Sequence, residues 1–379
     1  MTETQLKKTP LHSVYGSSAK LVDFGGWEMP IQFYGGILAE HHAVRHHAGL
    51  FDVSHMGEIT VTGPEAETFL DHLLTNKIQG AAEGQCLYSP MCQEDGGCLD
   101  DLLVYVMGSQ HYLLVVNATN TQKDFQWIKK QCDSTGFQVQ VSNASQDWAQ
   151  LALQGPQATS LLQPLTSEMN LNTLPYYRHG GQISIGTIPT LISRTGYTGE
   201  DGYELYCSPS QAPELWNILL NAGAIPCGLG ARDLLRLEAR LPLYGHELLQ
   251  SISPLEAGLS LFVKLDHRQF IGHGALAHQK EQGIPRRLYG LVMEDSGVPR
   301  EGYPIQFNNQ ELGVVTSGGK SPSLNRFIAL ALLQRGSVKV GDTVDVIIRG
   351  KKKRATIVKT PFYKRPPSTN SSTESGSGV

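Results

Sequence analysis

The chain has 379 residues, 31 Lys+Arg against 35 Asp+Glu and a formal net charge of −4, which excludes a whole-protein basic footprint for nucleic acid. Charged residues make up only 17 % and glycines number 40, where about 25 % charged and about 7 % glycine are usual; this points away from helical bundles and toward many turns joining short strands. No run of about 18 apolar residues occurs, so a transmembrane helix is excluded, and at ~150 residues per domain the length predicts two or three domains.

The N-terminal MTETQLKKTPLHSVYG has no apolar core and is not a secretory signal. GGILAEHHAVRHHA (35–48) reads as a helix, FDVSHMGEITVTG as a turn into a strand, and 64–75 as a second helix. Residues 85–117 form the clearest β region. CLYSPMC, the EDGG turn, CLDDLLVYVM, the GSQ turn and HYLLVVN make a three-strand meander. With Gly108–Gln110 as the second loop, Asp101 lies opposite Asn117 and Asp100 just beyond; a slip of one residue pairs Asp101 with Val116 instead. Residues 119–135 read as a helix and 148–153 as a short strand. Between 180 and 208, QISIGTIPTLISR is one arm of a hairpin, TGYTGED its loop and GYELYCS the return. CGLGARDLLRLEARL is a glycine-rich turn entering a helix with an apolar stripe at Leu234, Leu237 and Leu241. From about 285, six short strands without helices predict a small β-barrel or sandwich, with the boundary between Lys264 and Pro285. RPPSTNSSTESGSGV is too polar to bury a core and is expected to be a disordered tail from about 366.

Several clusters invite chemistry and are weighed against plainer roles. In HHAVRHH, His42 and His46 have the i, i+4 spacing that shares a metal, but neither HExxH nor an acidic third ligand accompanies them. Solvated or hydrogen-bonded histidines are the simpler account. The six cysteines form no CxxC pair and read as reduced thiols. DFGG (23–26) matches a kinase motif in letters only, without its companions. RTGYTGEDGYE places glycines at 196, 199 and 202, either as a plain hairpin loop or as a ligand loop presenting Tyr197 and Glu204. Adjacent strand residues face opposite ways, so Asp100 and Asp101 are not expected to act as a dyad; one of them faces a pocket. Arg232 sits at a helix start, where the dipole disfavours a cation, which points to an acidic or heterocyclic ligand. KKKR (351–354) reads as a solvated charge run at a hairpin turn, with docking of an acidic partner as the minor reading.

Taken in order, TPLH, DFGGWEMPIQF, FDVSHMGE, EDGGCLDDLLVY, LALQGP, SRTGYTGEDGYE, GLGARDLLRLEARLPLYGHEL, SPLEAGL and TPFYKR resemble the glycine cleavage system T-protein family over roughly residues 5 to 365. The resemblance implies an α+β fold: a three-domain cloverleaf around a central folate pocket, antiparallel sheets with helices plus a C-terminal β-barrel. It divides the chain approximately into a folate-binding unit of residues 1–50 and 140–275, a β-meander unit of 51–139 carrying Asp101, and a barrel of 276–365. It implies a tetrahydrofolate-dependent aminomethyltransferase of glycine catabolism that takes the one-carbon unit from the aminomethyl-lipoyl arm of H protein. The implied products are ammonia, 5,10-methylenetetrahydrofolate and the reduced arm. Tetrahydrofolate is the co-substrate and no metal is implied. Asp101 matches the family's key aspartate. Glu204, Arg232, Asn117, Tyr197, Tyr88, Met56 and, as a weaker match, Arg365 correspond to positions around the folate.

The implied partners are the lipoylated H protein and, transiently, the other glycine cleavage proteins, with neither nucleic acid nor membrane. The expected location is the bacterial cytoplasm rather than the mitochondrial matrix. The alternative readings are a folate-dependent demethylase and a non-catalytic folate-binding relative of the same fold. The first usually carries an added dinucleotide-binding domain and the second a KGCYxGQE-type motif, and this sequence has neither.

Overall fold

A computed structural model describes residues 5–266 and 269–366; the tail expected after that point lies outside the described residues. The architecture is α+β, with a two-stranded hairpin, two larger sheets that are antiparallel except for one short parallel edge strand, their helices and a closed barrel. In spatial order, the first sheet holds His179–Ile185, Ile188–Ser193, Gly202–Cys207, Ala149–Gln154, Gly49–Asp52 and Ile225–Pro226. The second holds Cys86–Cys92, Cys98–Gly108, His111–Val116, Gly57–Thr62 and Gln140–Asn143. Among the described residues no helix is long and apolar enough to cross a membrane.

The strand Cys98–Gly108 shows how the sequence builds the centre. Its side chains alternate between two apolar environments, as a strand covered on both faces must. Leu102, Val104 and Val106 pack with Phe69, Leu70 and Ile128 of the helices Ala66–Leu73 and Thr121–Thr135. Leu103, Tyr105 and Met107 pack against Leu191 and Tyr206 of the first sheet. Glu204 and Tyr206 alternate with Tyr203, Leu205 and Cys207, which point into the first sheet's own core. The two sheets thus meet face to face, joined by hydrogen bonds between the Tyr105 hydroxyl and the hydroxyls of Tyr206 (2.8 Å) and Ser193 (2.9 Å).

The expected meander is present, with Leu103 opposite Val115 and Tyr105 opposite Leu113, and irregularities beside Cys92 and Gly108. Two glycines fix its first turn. Gly96 takes φ +86°, and a Cβ on Gly97 would stand 1.8 Å from the Gln250 carbonyl oxygen. The hairpin expected over 180–208 is instead three strands. The presumed first arm folds back at Gly186–Thr187, where Gly186 takes φ +61° and Ile185 pairs with Ile188. An N-terminal hairpin, Lys20–Phe24 with Trp27–Gln32, was not anticipated. The sheets take Gly49–Asp52 and Gln140–Asn143 a few residues to either side of the expected divisions at 50/51 and 139/140.

All six expected C-terminal strands form, and they close into a barrel. KKKR is not its turn. Lys351–Arg354 open the last strand, and Lys352 and Arg354 face Asp345, Glu294 and Asp295, so much of the run is charge-matched within the barrel. The helix Leu229–Glu238 lies between barrel and sheets, with Leu237 packed on Leu288, Ile328 and Leu330.

Candidate active site

Asp101 shares the face of Leu103 and Tyr105 and so points toward the first sheet, while Asp100 points toward the helix Thr121–Thr135. The Tyr88 hydroxyl donates to Asp101 Oδ2 at 2.9 Å and Asn117 Nδ2 to Oδ1 at 2.8 Å. Burial, and after it the charge of Asp100, raise the Asp101 carboxyl to about 7, against the lowering pull of these two bonds. A carboxyl poised there can exchange a proton at physiological pH. The opposite-face reading of the aspartate pair holds for direction but not for independence, because Asn117 Nδ2 also reaches Asp100 Oδ1 at 2.8 Å.

Glu204 stands on the opposing sheet, 5 % exposed. Gln150 Nε2 donates to Oε1 at 3.1 Å, and the Thr195 hydroxyl makes a short bond to Oε2. Each oxygen keeps a lone pair for a further donor. Burial raises this carboxyl, while Thr195, Arg232 and Gln150 draw it back. Thr195 and Gln150 were not read from the sequence; the register that pairs Tyr206 with Gln150 supplies the second of them.

Tyr197 acts electrostatically on Asp101, and Arg232 on Glu204. The Arg232 guanidinium lies 4.7 Å from the Tyr197 ring centroid, a cation–π distance. Its Nη1 is buried without a hydrogen-bond partner, although a buried guanidinium nitrogen normally has one. Tyr197 and Tyr88 also act on one another electrostatically. Met56 packs beside Tyr105 and Tyr206. Met56, Tyr88, Asp101, Asn117, Tyr197 and Arg232 each retain some accessible surface. Arg365 is set apart at the edge. It lies 5.2 Å from the Tyr176 ring and 3.8 Å from Asp201, and its side chain is 42 % exposed.

The Tyr197 loop is anchored from behind by two ionic clusters that the sequence did not reveal, because their members are far apart along the chain. Arg45 donates to Glu200 and the Thr198 carbonyl, each at 2.8 Å, and to Glu238 at 2.8 Å. Glu238 also accepts from His41, Ser321 and Ser323, and the Tyr363 ring covers Arg45 at 3.9 Å. In the second cluster Glu247 accepts from Arg236, Thr316 and the Leu243 amide. The adjacent Pro242 carbonyl accepts a short bond from the Tyr197 hydroxyl. His41 of the histidine run is therefore a buried anchor, while His42 and His46 stack with centroids 5.9 Å apart. Among the described residues no three His, Cys, Asp or Glu side chains form a group that could hold a metal ion.

Two family models match in succession: the GCVT N-terminal domain over residues 11–267 and the glycine cleavage T-protein C-terminal barrel domain over 286–364. An aminomethyltransferase of Desulfitobacterium hafniense is 53 % identical over 369 residues, covering 96 % of this chain and 99 % of the relative. That of Moorella thermoacetica is 54 % identical over 366 residues, covering 95 % and 99 %. The crystal structure of glycine cleavage system aminomethyltransferase T from Bartonella henselae matches with a TM-score of 0.88 at 34 % identity, over 95 % of this chain and 99 % of that one. With both family models and half-identical relatives spanning nearly its whole length, the chain belongs to the glycine cleavage T-protein family of aminomethyltransferases.

Proposed function

We propose that this aminomethyltransferase moves a one-carbon unit from the aminomethylated lipoyl arm of a carrier, the H protein, to tetrahydrofolate, with release of ammonia. The observation that carries the reading is that Asp101 and Glu204 stand on sheets packed face to face, with the unpartnered Nη1 of Arg232 on a side chain that acts on Glu204. The polar atoms there suit a pterin. Glu204 has acceptor capacity for ring N–H groups, Arg232 has free donors, and the Tyr197 and Tyr88 rings offer stackable walls. Bound there, tetrahydrofolate supplies the nucleophilic nitrogen.

The chain's own residues then have distinct tasks. Tyr88 and Asn117 fix both oxygens of Asp101, so the carboxylate has one orientation. With its carboxyl near 7, Asp101 takes up the proton that leaves the attacking nitrogen. Gln150 and Thr195 hold Glu204 in register, and Arg232 offsets its charge. Arg365, at the rim beside Tyr176, suits an acidic tail of the co-substrate.

The deciding assay is ammonia release from an aminomethylated lipoyl carrier with and without tetrahydrofolate. Stimulated release that falls by two or more orders of magnitude in Asp101→Asn is the expected outcome. Folate binding without such turnover would make the chain a binding relative rather than the enzyme described.

A further inference from the structure

Asp100 has no task in the reaction as described, yet it is 0 % exposed, and a carboxylate shut away from water needs donors. It has three. The Asn117 backbone amide reaches Oδ2 at 3.0 Å, Asn117 Nδ2 reaches Oδ1 at 2.8 Å, and Asn120 Nδ2 reaches Oδ1 at 2.7 Å. Both asparagines belong to the tight turn between the strand His111–Val116 and the helix Thr121–Thr135, so the donors come from a rigid segment. The same Asn117 Nδ2 reaches Asp101 Oδ1 at 2.8 Å. An amide nitrogen carries two N–H groups. With one directed at Asp100 and the other at Asp101, the buried carboxylate dictates how the amide lies and thus where the outer one is held.

We propose that Asp100 is a positioning residue for the reaction: it clamps Asn117 so that the amide holds Asp101 in place. Its carboxyl stands next to that of Asp101, so replacing it also removes an acidic neighbour. This rests on reading Asp101 as the reacting carboxylate.

Asp100 has a second acidic neighbour besides Asp101. Asp124 lies beside it, 0 % exposed, with neither oxygen accepting a hydrogen bond and Lys123 Nζ 3.9 Å from Oδ1. Burial and Asp100 push Asp124 up to about 11, so it carries a proton and can donate it to Asp100. The thiol and phenols facing Asp101 stay neutral near pH 7: burial raises Cys98 on the same strand, Tyr88 across the ladder and Tyr197 from the opposite loop. Burial brings Tyr244 to about 12, and its hydroxyl accepts from Lys123 at 3.1 Å. Arg232 stands against Tyr197 as a second cation, and burial raises Glu204 on the opposing sheet. Asp101 is brought to about 7.

The test is the pH dependence of kcat/KM for carrier-dependent ammonia release by the full chain. Removing a like charge lowers the pKa of its neighbour, so Asp100→Asn moves the acid limb to lower pH by about one unit. A loosened Asn117 lowers kcat by about 10- to 100-fold, with the KM for tetrahydrofolate little changed. Asp124→Asn mimics the protonated acid and leaves the limb in place. If Asp100→Asn does not fold, Asn120→Ala decides: it leaves the Asp100 carboxylate in place with one donor fewer, and the less compensated like charge moves the limb to higher pH, by less than one unit. A limb unmoved in the folded variants, while Asp101→Asn has lost turnover, overturns the role of Asp100 alone. Full turnover in Asp101→Asn overturns the underlying reading as well.

Discussion

Replacing Glu238 with glutamine tests the anchor behind the Tyr197 loop. Burial by itself would raise this carboxyl, but His41, Ser321 and Arg45 reverse that and bring it to about 2. An unfolded glutamate titrates near 4.3, so the folded state favours the ionised form by roughly 3 kcal/mol at about 1.4 kcal/mol per unit. Because the folded pKa is the depressed one, this stabilisation is fully present above about pH 4.5. It fades as pH falls toward 2. Glu238→Gln removes it and leaves Arg45 facing only Glu200, an imbalance that typically costs about 3–5 kcal/mol at a buried site. The assay is urea unfolding of wild type and variant from pH 7 down to about 3.5. At pH 7 the variant is less stable by about 3 kcal/mol, and by about pH 3.5 the gap has narrowed by more than 1 kcal/mol. A gap under about 1 kcal/mol at pH 7, or one that does not narrow with acid, refutes the account of Glu238 as a charged anchor.

Further outcomes are expected at the site and in the fold. Since Asp101 acts in its ionised form and titrates at about 7, kcat/KM falls about tenfold per unit below that pH; a flat profile down to pH 5 excludes it as the proton acceptor. Glu204→Ala weakens tetrahydrofolate binding by about 10- to 100-fold in calorimetry, the loss expected for hydrogen bonds to a charged group; an unchanged Kd removes Glu204 from the pterin site. Gly97→Ala drives a Cβ onto the Gln250 carbonyl oxygen, 1.8 Å away, and lowers unfolding stability by at least about 2 kcal/mol; wild-type stability in that variant would mean the segment around Gln250 yields freely.

The central meander was legible because its turns and its period-two alternation agree, so that placing Gly108–Gln110 as a loop also placed Asn117 beside Asp101. The barrel was legible from six short strands separated by turns. Gly186–Thr187 was overlooked because the apolar residues on its two sides read as one continuous run, and only the positive φ of Gly186 breaks it. Asp101, Glu204 and Arg232 were reachable through motifs that each sit in a single stretch of chain. The contacts that orient them were not. Gln150 meets Glu204 across 54 residues, and Arg45 meets Glu238 across 193. Local sequence carries no signal for such pairs, and nothing in the HHAVRHH run distinguishes the buried His41 from the stacked His42 and His46.

The two ionic clusters bear on how freely the parts of such a chain can be exchanged. A C-terminal barrel looks like a detachable module, since its strands pair only with each other. Yet Thr316, Ser317, Ser321 and Ser323 of the barrel supply partners to Glu247, Arg236 and Glu238, all of which precede it. A barrel transplanted from a relative would have to bring those hydroxyls in register, together with the Tyr363 ring over Arg45. Without them it would leave Glu238 and Glu247 short of the donors that complete their shells. The join between the two halves therefore inherits as a set, and recombination at the apparent boundary is constrained by a handful of serines and threonines rather than by the barrel's shape.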